Sequence, residues 1–427
     1  MIQRKTWQRF GVFTLLGIFL SWLISCTPAP QSSGNTLDFW TMDLPKHKFG
    51  AYFEPLIDQF EKENPGVTVE WDDVSWAGMQ SKIRVAIEGK TAPDVVNLNP
   101  DFAFQLAGKG SWLDLDKAIS KADRDRYLAN IWEASSLNGK TFGVPWYLTS
   151  RIAIYNKAIF DEAGVTKPPQ TYAELAEAAQ KIKEKTGKYA FFITTNPTGS
   201  GELMESFVQM GVQLIDTQDK AAFNTPAGKA AFQYWVDLFQ QKLIPPAVLT
   251  EDHKGAIDFY QSGNVALISS SPQSLDIVKT NAPDIAKVSA AAPQITGSTG
   301  KRNVAVMNLV IPKDTDKPDE ALKFALFITN PENQLAFSKQ ANVLPSTQTS
   351  LSDPYFSKAE ESNATDKARV LSASQLKDSE VLIPSVQDIK KLQKILYENL
   401  REAMSNRKSV DQALADAEKV WNQTVGG

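Results

Sequence analysis

Cysteine occurs once in the 427 residues and histidine twice. A lone cysteine excludes an intramolecular disulfide and any CxxC zinc or redox pair. His47 and His253, far apart in the chain, leave little material for a histidine-based metal site, and no metal or cofactor is expected. The chain has no GxxxxGK[ST], GxGxxG or GxSxG motif. Gly199-Ser200-Gly201 and Gly297-Ser298-Thr299-Gly300 are glycine-rich turns without the spacing of a phosphate loop. A Ser-His-Asp triad would need one of the two histidines, and each reads as a surface residue. A glycosidase-type carboxylate pair leaves no sequence signature and stays open. Positive charge is not in excess either: 45 Lys and Arg stand against 49 Asp and Glu. That balance gives no basic footprint for nucleic acid.

What is present points to a folded, exported protein. A charged fraction of 22% and ten tryptophans rule out a mainly disordered chain. The length suits two or three domains at ~100–200 residues each. Arg4, Lys5 and Arg9 precede an uncharged run from Phe10 to Ile24, too short for a bilayer span of ~20 residues and suited to a secretory core. The run ends in Leu23-Ile24-Ser25-Cys26, which resembles a bacterial lipobox. That resemblance implies lipidation of Cys26, cleavage before it, and anchoring to a membrane, each buried CH₂ contributing ~0.8 kcal/mol. Residues 1–25 are therefore expected as a lipoprotein signal peptide and 26–36 as a flexible tether.

Beyond the tether, helical and strand periods alternate. Phe53, Leu56, Ile57 and Phe60 recur at helical spacing, stopped by Asn64-Pro65-Gly66. Val67, Val69 and Trp71 alternate as a strand. Met79, Ile83, Ala86 and Ile87 mark a second helix, and Asp94–Leu98 a buried strand. This β-α-β-α-β rhythm predicts an α/β fold with mainly parallel sheets and helices on both faces. Further along, Thr171 and Glu174 form a capping box, Thr225-Pro226 opens a helix, and strands fall at 151–156, 265–269 and 304–311. Ser409 is expected to cap the last helix. Residues 346–380, polar and rich in Ser, Asp and Lys, are expected as a long surface excursion.

The aromatic residues carry the functional signal. Trp40, Trp76, Trp112, Trp146 and Tyr147 fall at strand ends or in loops rather than on periodic helix faces, although Trp112, beside Leu113 and Leu115, leans toward a core role. Ligands of open α/β sheets bind beyond the carboxyl ends of strands. Flat rings with polar neighbours suit molecules that mix C–H faces with hydroxyls, such as sugars. Arg151 offers a guanidinium fork, or else a salt bridge at the hinge surface.

Several segments also resemble a known family. They are Phe60-Glu61-Lys62-Glu63-Asn64-Pro65-Gly66-Val67-Thr68-Val69, Lys82-Ile83 through Gly89 with Ala92-Pro93-Asp94-Val95, Asn138 to Pro145, Tyr155-Asn156-Lys157, Pro168 to Leu175, Phe259 to Leu267 and Ala321 to Gln334. In order and spacing they are similar to the extracellular solute-binding proteins of bacterial ABC importers, in their sugar-binding group. The resemblance implies a two-lobed type II fold with a multi-strand hinge. Lobe one would be 37–148 plus 292–330, and lobe two 149–291 plus 331–427. It implies capture of a sugar or polyol between the lobes, delivery to a membrane permease, and no enzymatic step. Against maltose-binding members, Asp101 falls where a sugar-binding Asp sits and Trp40 at the first strand end. Thr149 stands where those have Glu, and Gln273, after Ser271-Pro272, where they have a stacking Trp. The expected ligand set is Trp40, Asp43, Trp76, Asn99, Asp101, Trp146, Tyr147, Thr149, Arg151, Ser271, Gln273 and Asn308. A glycerol-phosphate ligand or a lipid-anchored glycoside-active enzyme are the alternatives.

Overall fold

The structure is a computed structural model that describes residues 35–426 except Thr198, Glu361, Ser362, Ser385 and Gln387. The signal peptide, Cys26 and nearly all of the tether lie outside the described residues; Thr36 already belongs to the first strand. Thirteen strands are described: β1 Thr36–Met42, β2 Thr68–Val74, β3 Val95–Leu98, β4 Ser136–Leu137, β5 Lys140–Thr141, β6 Gly143–Ser150, β7 Ile152–Asn156, β8 Tyr189–Phe192, β9 Val265–Ser270, β10 Ser289–Ala292, β11 Arg302–Val310, β12 Leu344–Pro345 and β13 Ser379–Glu380.

Two main sheets result, one per lobe. The first runs β12-β6-β11-β3-β1-β2, with β13 added beside β11; the second runs β10-β7-β9-β8; β4 and β5 form a separate hairpin. The two lobes and their hinge follow the expected architecture, but the sheets are mixed rather than mainly parallel. β1 pairs in parallel with β2 and β3. β11 is antiparallel to both β3 and β6, and in the second lobe only β8–β9 is a parallel pair. The reason is the route of the chain. A strand that returns from the other lobe enters the sheet from the opposite end, which a helical crossover within one lobe never does.

The local signals read above are realised. Phe53, Leu56, Ile57 and Phe60 are the buried face of the helix Lys46–Glu63. The Thr171–Glu174 capping box is complete, and Thr225 accepts from the Gly228 N–H. Ser409 Oγ accepts from the Gln412 N–H at 3.1 Å.

Each lobe has its own core. Residues 37–147 pack with 307–343, and 152–295 pack with Ala368 and 386–421. The helix Pro331–Ala341 thus belongs to the first core, not the second as expected. Its Phe337 is fully buried, 4.6 Å from the Trp146 ring and 6.0 Å from Phe49. That ring, with buried Gln334, whose Nε2 donates to Pro145 O and Ser346 Oγ, holds the helix on the first sheet.

A third, smaller core sits where the strands cross between lobes. It joins Ile131, Leu148, Val304, Val306, Leu344, Phe356, Ala373 and Leu376. Residues 346–380 supply its last three members, so they are a buttress of the hinge and not a surface excursion. Their serines explain the polar composition: Ser372 Oγ lies 2.6 Å from Ser150 Oγ in the interior, and Thr347 pairs with Ser350. A buried hydroxyl is tolerated when another hydroxyl satisfies it.

Candidate functional site

In the first lobe the neighbouring parallel strands β2, β1 and β3 all end on one edge, and the residues after them gather there. Trp40 lies two residues before the end of β1 at Met42, and Asp43 follows the strand in a left-handed conformation (φ 59°) that Asp tolerates. Trp76 opens the helix Trp76–Glu88 after β2 and is 48% exposed, a large ring left in water. Asn99 and Asp101 start the helix Pro100–Ala107 after β3.

Their roles differ. The Asn99 side chain is buried and caps its helix by accepting from the Phe102 N–H at 3.0 Å, so it positions Asp101 rather than facing a ligand. Asp101 is half-buried and meets Lys390 Nζ of the second lobe at 2.6 Å. Trp40 carries the Lys82 ammonium 3.7 Å from its ring centroid, a cation–π contact that occupies one face. Trp76 packs its edge near Phe102, centroids 6.5 Å apart, and keeps free surface.

Three expected ligand residues, Trp146, Asn308 and Tyr147, are interior instead. Trp146 has no exposed surface; its ring lies among Phe39, Phe53, Tyr147 and Phe337, stacked on the last. A strand covered on both faces buries every side chain, so proximity to the hinge did not bring this ring to the surface. Asn308 is also fully buried in β11, its amide donating to Val306 O at 3.1 Å, beside a Gly143 that has no room for a Cβ. Tyr147 is nearly covered against Trp146 and Phe337, and burial, then Asp43 and Asp73, hold its hydroxyl pKa above the ordinary value. Thr149 is half-buried. Trp112 is core, as its neighbours suggested, and donates to Ala103 O.

In the second lobe β8 and β9 run in parallel and end together. Ser271 and Gln273 follow β9 and are half-buried; Gln273 Nε2 donates to Asn342 O of the first lobe at 2.6 Å. With Asp101–Lys390, this is a second contact across the seam. Arg151 is the single residue between β6 and β7. It is no free fork: its Nε donates to Glu205 Oε2 at 3.0 Å. Burial pulls the guanidinium pKa down, but Glu205 and Glu202 more than restore it, leaving it above the usual arginine value.

Both acids start the helix Glu202–Gln209, which has no side-chain cap and lies in the second core. Burial chiefly raises the Glu202 carboxyl to about 7; Arg151 opposes this and Glu205 adds to it. His253 is not a surface histidine. Its Nε2 sits 2.9 Å from Ser270 Oγ, and burial, then Arg151, push its pKa down to about 4. Sequence reading missed Glu202, Glu205 and His253. The available signal was two acids at i, i+3 on a helix whose other residues are mostly apolar, just after the Gly199–Gly201 turn.

Among the described residues no group of three His, Cys, Asp or Glu side chains could hold a metal ion. The paired strand ends, two hinged lobes and contacts across one seam are a binding architecture. The family model of the bacterial extracellular solute-binding proteins matches residues 45–335. The chain belongs to that family. A solved structure from Synechococcus sp. MITs9220, named provisionally as an oligosaccharide periplasmic-binding protein, is similar to this solute-binding protein at 40% identity and a TM-score of 0.86. It covers 91% of this chain and 99% of that one. A diacetylchitobiose binding protein of Streptomyces coelicolor is 27% identical over 154 residues, 36% of this chain and 35% of its own. An ABC transporter extracellular-binding protein of Pyrococcus horikoshii is 22% identical over 348 residues, 77% of this chain and 76% of its own.

Proposed function

We propose that this solute-binding protein captures a sugar at the seam between its lobes and hands it unchanged to the permease of an ABC importer. The observation that carries the reading is the first-lobe edge. Half-covered Trp40 near the end of β1, exposed Trp76 after β2 and Asp101 after β3 stand on three adjacent strands, which supports ring faces and a carboxylate sharing one edge, with Asp101 in contact with Lys390 of the second lobe. Aromatic faces cover C–H patches while carboxylates accept hydroxyls. The names of the Synechococcus and Streptomyces relatives agree with a saccharide ligand. Ligand bridging the lobes would favour the closed arrangement through contacts made only there. Lipid on Cys26 would hold the protein at the membrane that carries the permease.

A thermal-shift screen over glucose, maltose, maltotriose, N,N′-diacetylchitobiose and glycerol 3-phosphate tests this. A tight ligand stabilises by RT ln(1 + [L]/Kd), about 2.7 kcal/mol at a hundredfold excess over Kd. A shift with at least one neutral saccharide, recovered chemically unchanged, is the expected result. No shift with any of them removes the reading, and turnover of the sugar replaces it with an enzyme.

A further inference from the structure

The helix Pro331–Ala341, held in the first core by Phe337, ends at Asn342 in a left-handed conformation (φ 53°). Asn342 spends two of its groups on the second lobe. Its backbone oxygen accepts from Gln273 Nε2 at 2.6 Å, and its own Nδ2 donates to Asp276 Oδ2 at 3.2 Å. Both partners lie on one helix, Gln273–Asn281, which follows β9 and is anchored in the second core by Leu275 and Val278. Three positions apart, Gln273 and Asp276 share a helix face, so both can reach the same residue.

The other carboxylate oxygen of Asp276 is engaged as well: Oδ1 accepts from Thr365 Oγ1 at 3.1 Å. Thr365 stands in the first turn of the helix Ala364–Ser374, whose Ala368 packs in the second core and whose Ala373 packs in the small hinge core. Arg369 of that helix donates from Nε to Tyr355 O at 2.8 Å, next to Phe356 of the hinge core. One carboxylate thus ties the end of a first-lobe helix to the buttress of the hinge. The crossing itself is close along the chain. Asn342 is two residues before β12, which pairs with Tyr147 and Leu148 of β6, and β6 leads through Arg151 into β7.

Such bonds fix direction as well as distance, because a hydrogen bond weakens steeply off its axis. An acceptor and a donor on one residue therefore oppose both sliding and twisting of one helix against the other. Asparagine suits the place. It tolerates the left-handed backbone better than most residues, and its amide supplies the donor that a carboxylate accepts. Glycine would keep the backbone and lose the donor. Aspartate would keep the shape and set an acceptor against an acceptor.

We propose that Asn342, Gln273 and Asp276 form a clasp that sets the angle between the lobes, and that Gln273 is a positioning residue in place of the ligand contact expected of it. The effect on affinity rests on the sugar-capture reading; the clasp itself is a property of the protein alone. By holding the lobes in register the clasp keeps a larger fraction of molecules in the arrangement that binds, and apparent affinity scales with that fraction.

The test uses the full chain as parent, as Asn342→Asp, as Asn342→Gly, and as the exchange variant that combines Asn342→Asp with Asp276→Asn. Small-angle scattering of the protein alone reads the lobe arrangement. Calorimetry with the saccharide that gives the largest thermal shift reads affinity. Asn342→Asp should enlarge the radius of gyration and weaken sugar binding several-fold, and Asn342→Gly should do the same to a smaller degree. The exchange variant restores a donor facing an acceptor and should bring both readouts back to those of the parent, a rescue that general loss of stability does not produce. Circular dichroism establishes folding; if Asn342→Asp does not fold, Asn342→Gly decides, since glycine adopts this backbone without strain. Radii equal to the parent's in the single variants overturn the clasp, as does an exchange variant as open as Asn342→Asp. A changed radius with affinity within about twofold of the parent's overturns the positioning role. If no saccharide binds the parent, sugar capture fails, while scattering still decides the clasp.

Discussion

The two strand-end edges that meet at the seam occupy equivalent places in their lobes, yet they are built from opposite materials. The first-lobe edge leaves a tryptophan in water, covers another with a lysine, and uses its polar residues mainly as caps and ion pairs. The second-lobe edge hides an arginine, two glutamates and a histidine, and leaves polar atoms unpaired inside. Ring faces tolerate many saccharides because every sugar has a C–H face. Buried polar atoms tolerate few, because each demands a partner at a fixed place. Under the proposed sugar-capture reading the first edge would offer a guest its ring faces, whereas the second edge is closed around its own charges.

The sharpest division is between rings of the edge and rings beneath it. Trp146→Ala should cost roughly 3–5 kcal/mol in denaturant unfolding, since the ring is fully buried among four other rings. A loss below 1 kcal/mol would mean the ring is not core. Trp76→Ala should leave stability within about 0.5 kcal/mol yet weaken sugar binding about tenfold, ~1.4 kcal/mol. Unchanged affinity would take the first edge out of the site.

Protons probe the second edge. The Glu202 carboxyl, raised to about 7 from 4.5, binds a proton in the folded state that the unfolded state has lost, so its contribution makes stability fall as pH rises through that window. His253, lowered to about 4 from 6.5, acts the other way: the unfolded state holds the extra proton, and stability rises with pH between those values. The two oppose each other from 4.5 to 6.5. Glu202→Gln should therefore unfold at a temperature that gains on the parent steadily from pH 4.5 to 7. A constant difference across that range would remove the buried, proton-holding carboxyl.

The smallest effect concerns the bridge between the edges. Asp101 and Lys390 are partly exposed, so Lys390→Ala should change stability by ~1 kcal/mol or less, and the difference should shrink in high salt. Small-angle scattering that shows the variant opening as fully as a ligand-free hinge allows would give this pair a larger part in holding the lobes together.

Much of the fold was legible in the chain because its signals are local. The helix of Phe53 to Phe60, the Thr171–Glu174 box and the Thr225 cap each depend on residues within one turn of helix, and each is where the pattern put it. The site was legible only in part. Trp76 and Asp101 follow strands and do sit on the edge. Trp146 and Asn308 carry the same kind of signal and are buried, because rings on the helices Lys46–Glu63 and Pro331–Ala341 cover Trp146 and Asn308 packs on Gly143 of the neighbouring strand. His253 looked like a surface residue until the end of β9 brought Ser270 to it.

By itself the sequence determined the short-range terms: where helices begin and stop, and which faces are apolar; the two-lobed architecture was read from the resemblance of its segments to a known family. Tertiary structure alone decided strand direction, which core claims the helix of Phe337, and which polar side chains end up dry. Those outcomes depend on contacts between residues tens to hundreds of positions apart. Burial shifts a carboxyl or an imidazole only after such contacts have removed the water around it.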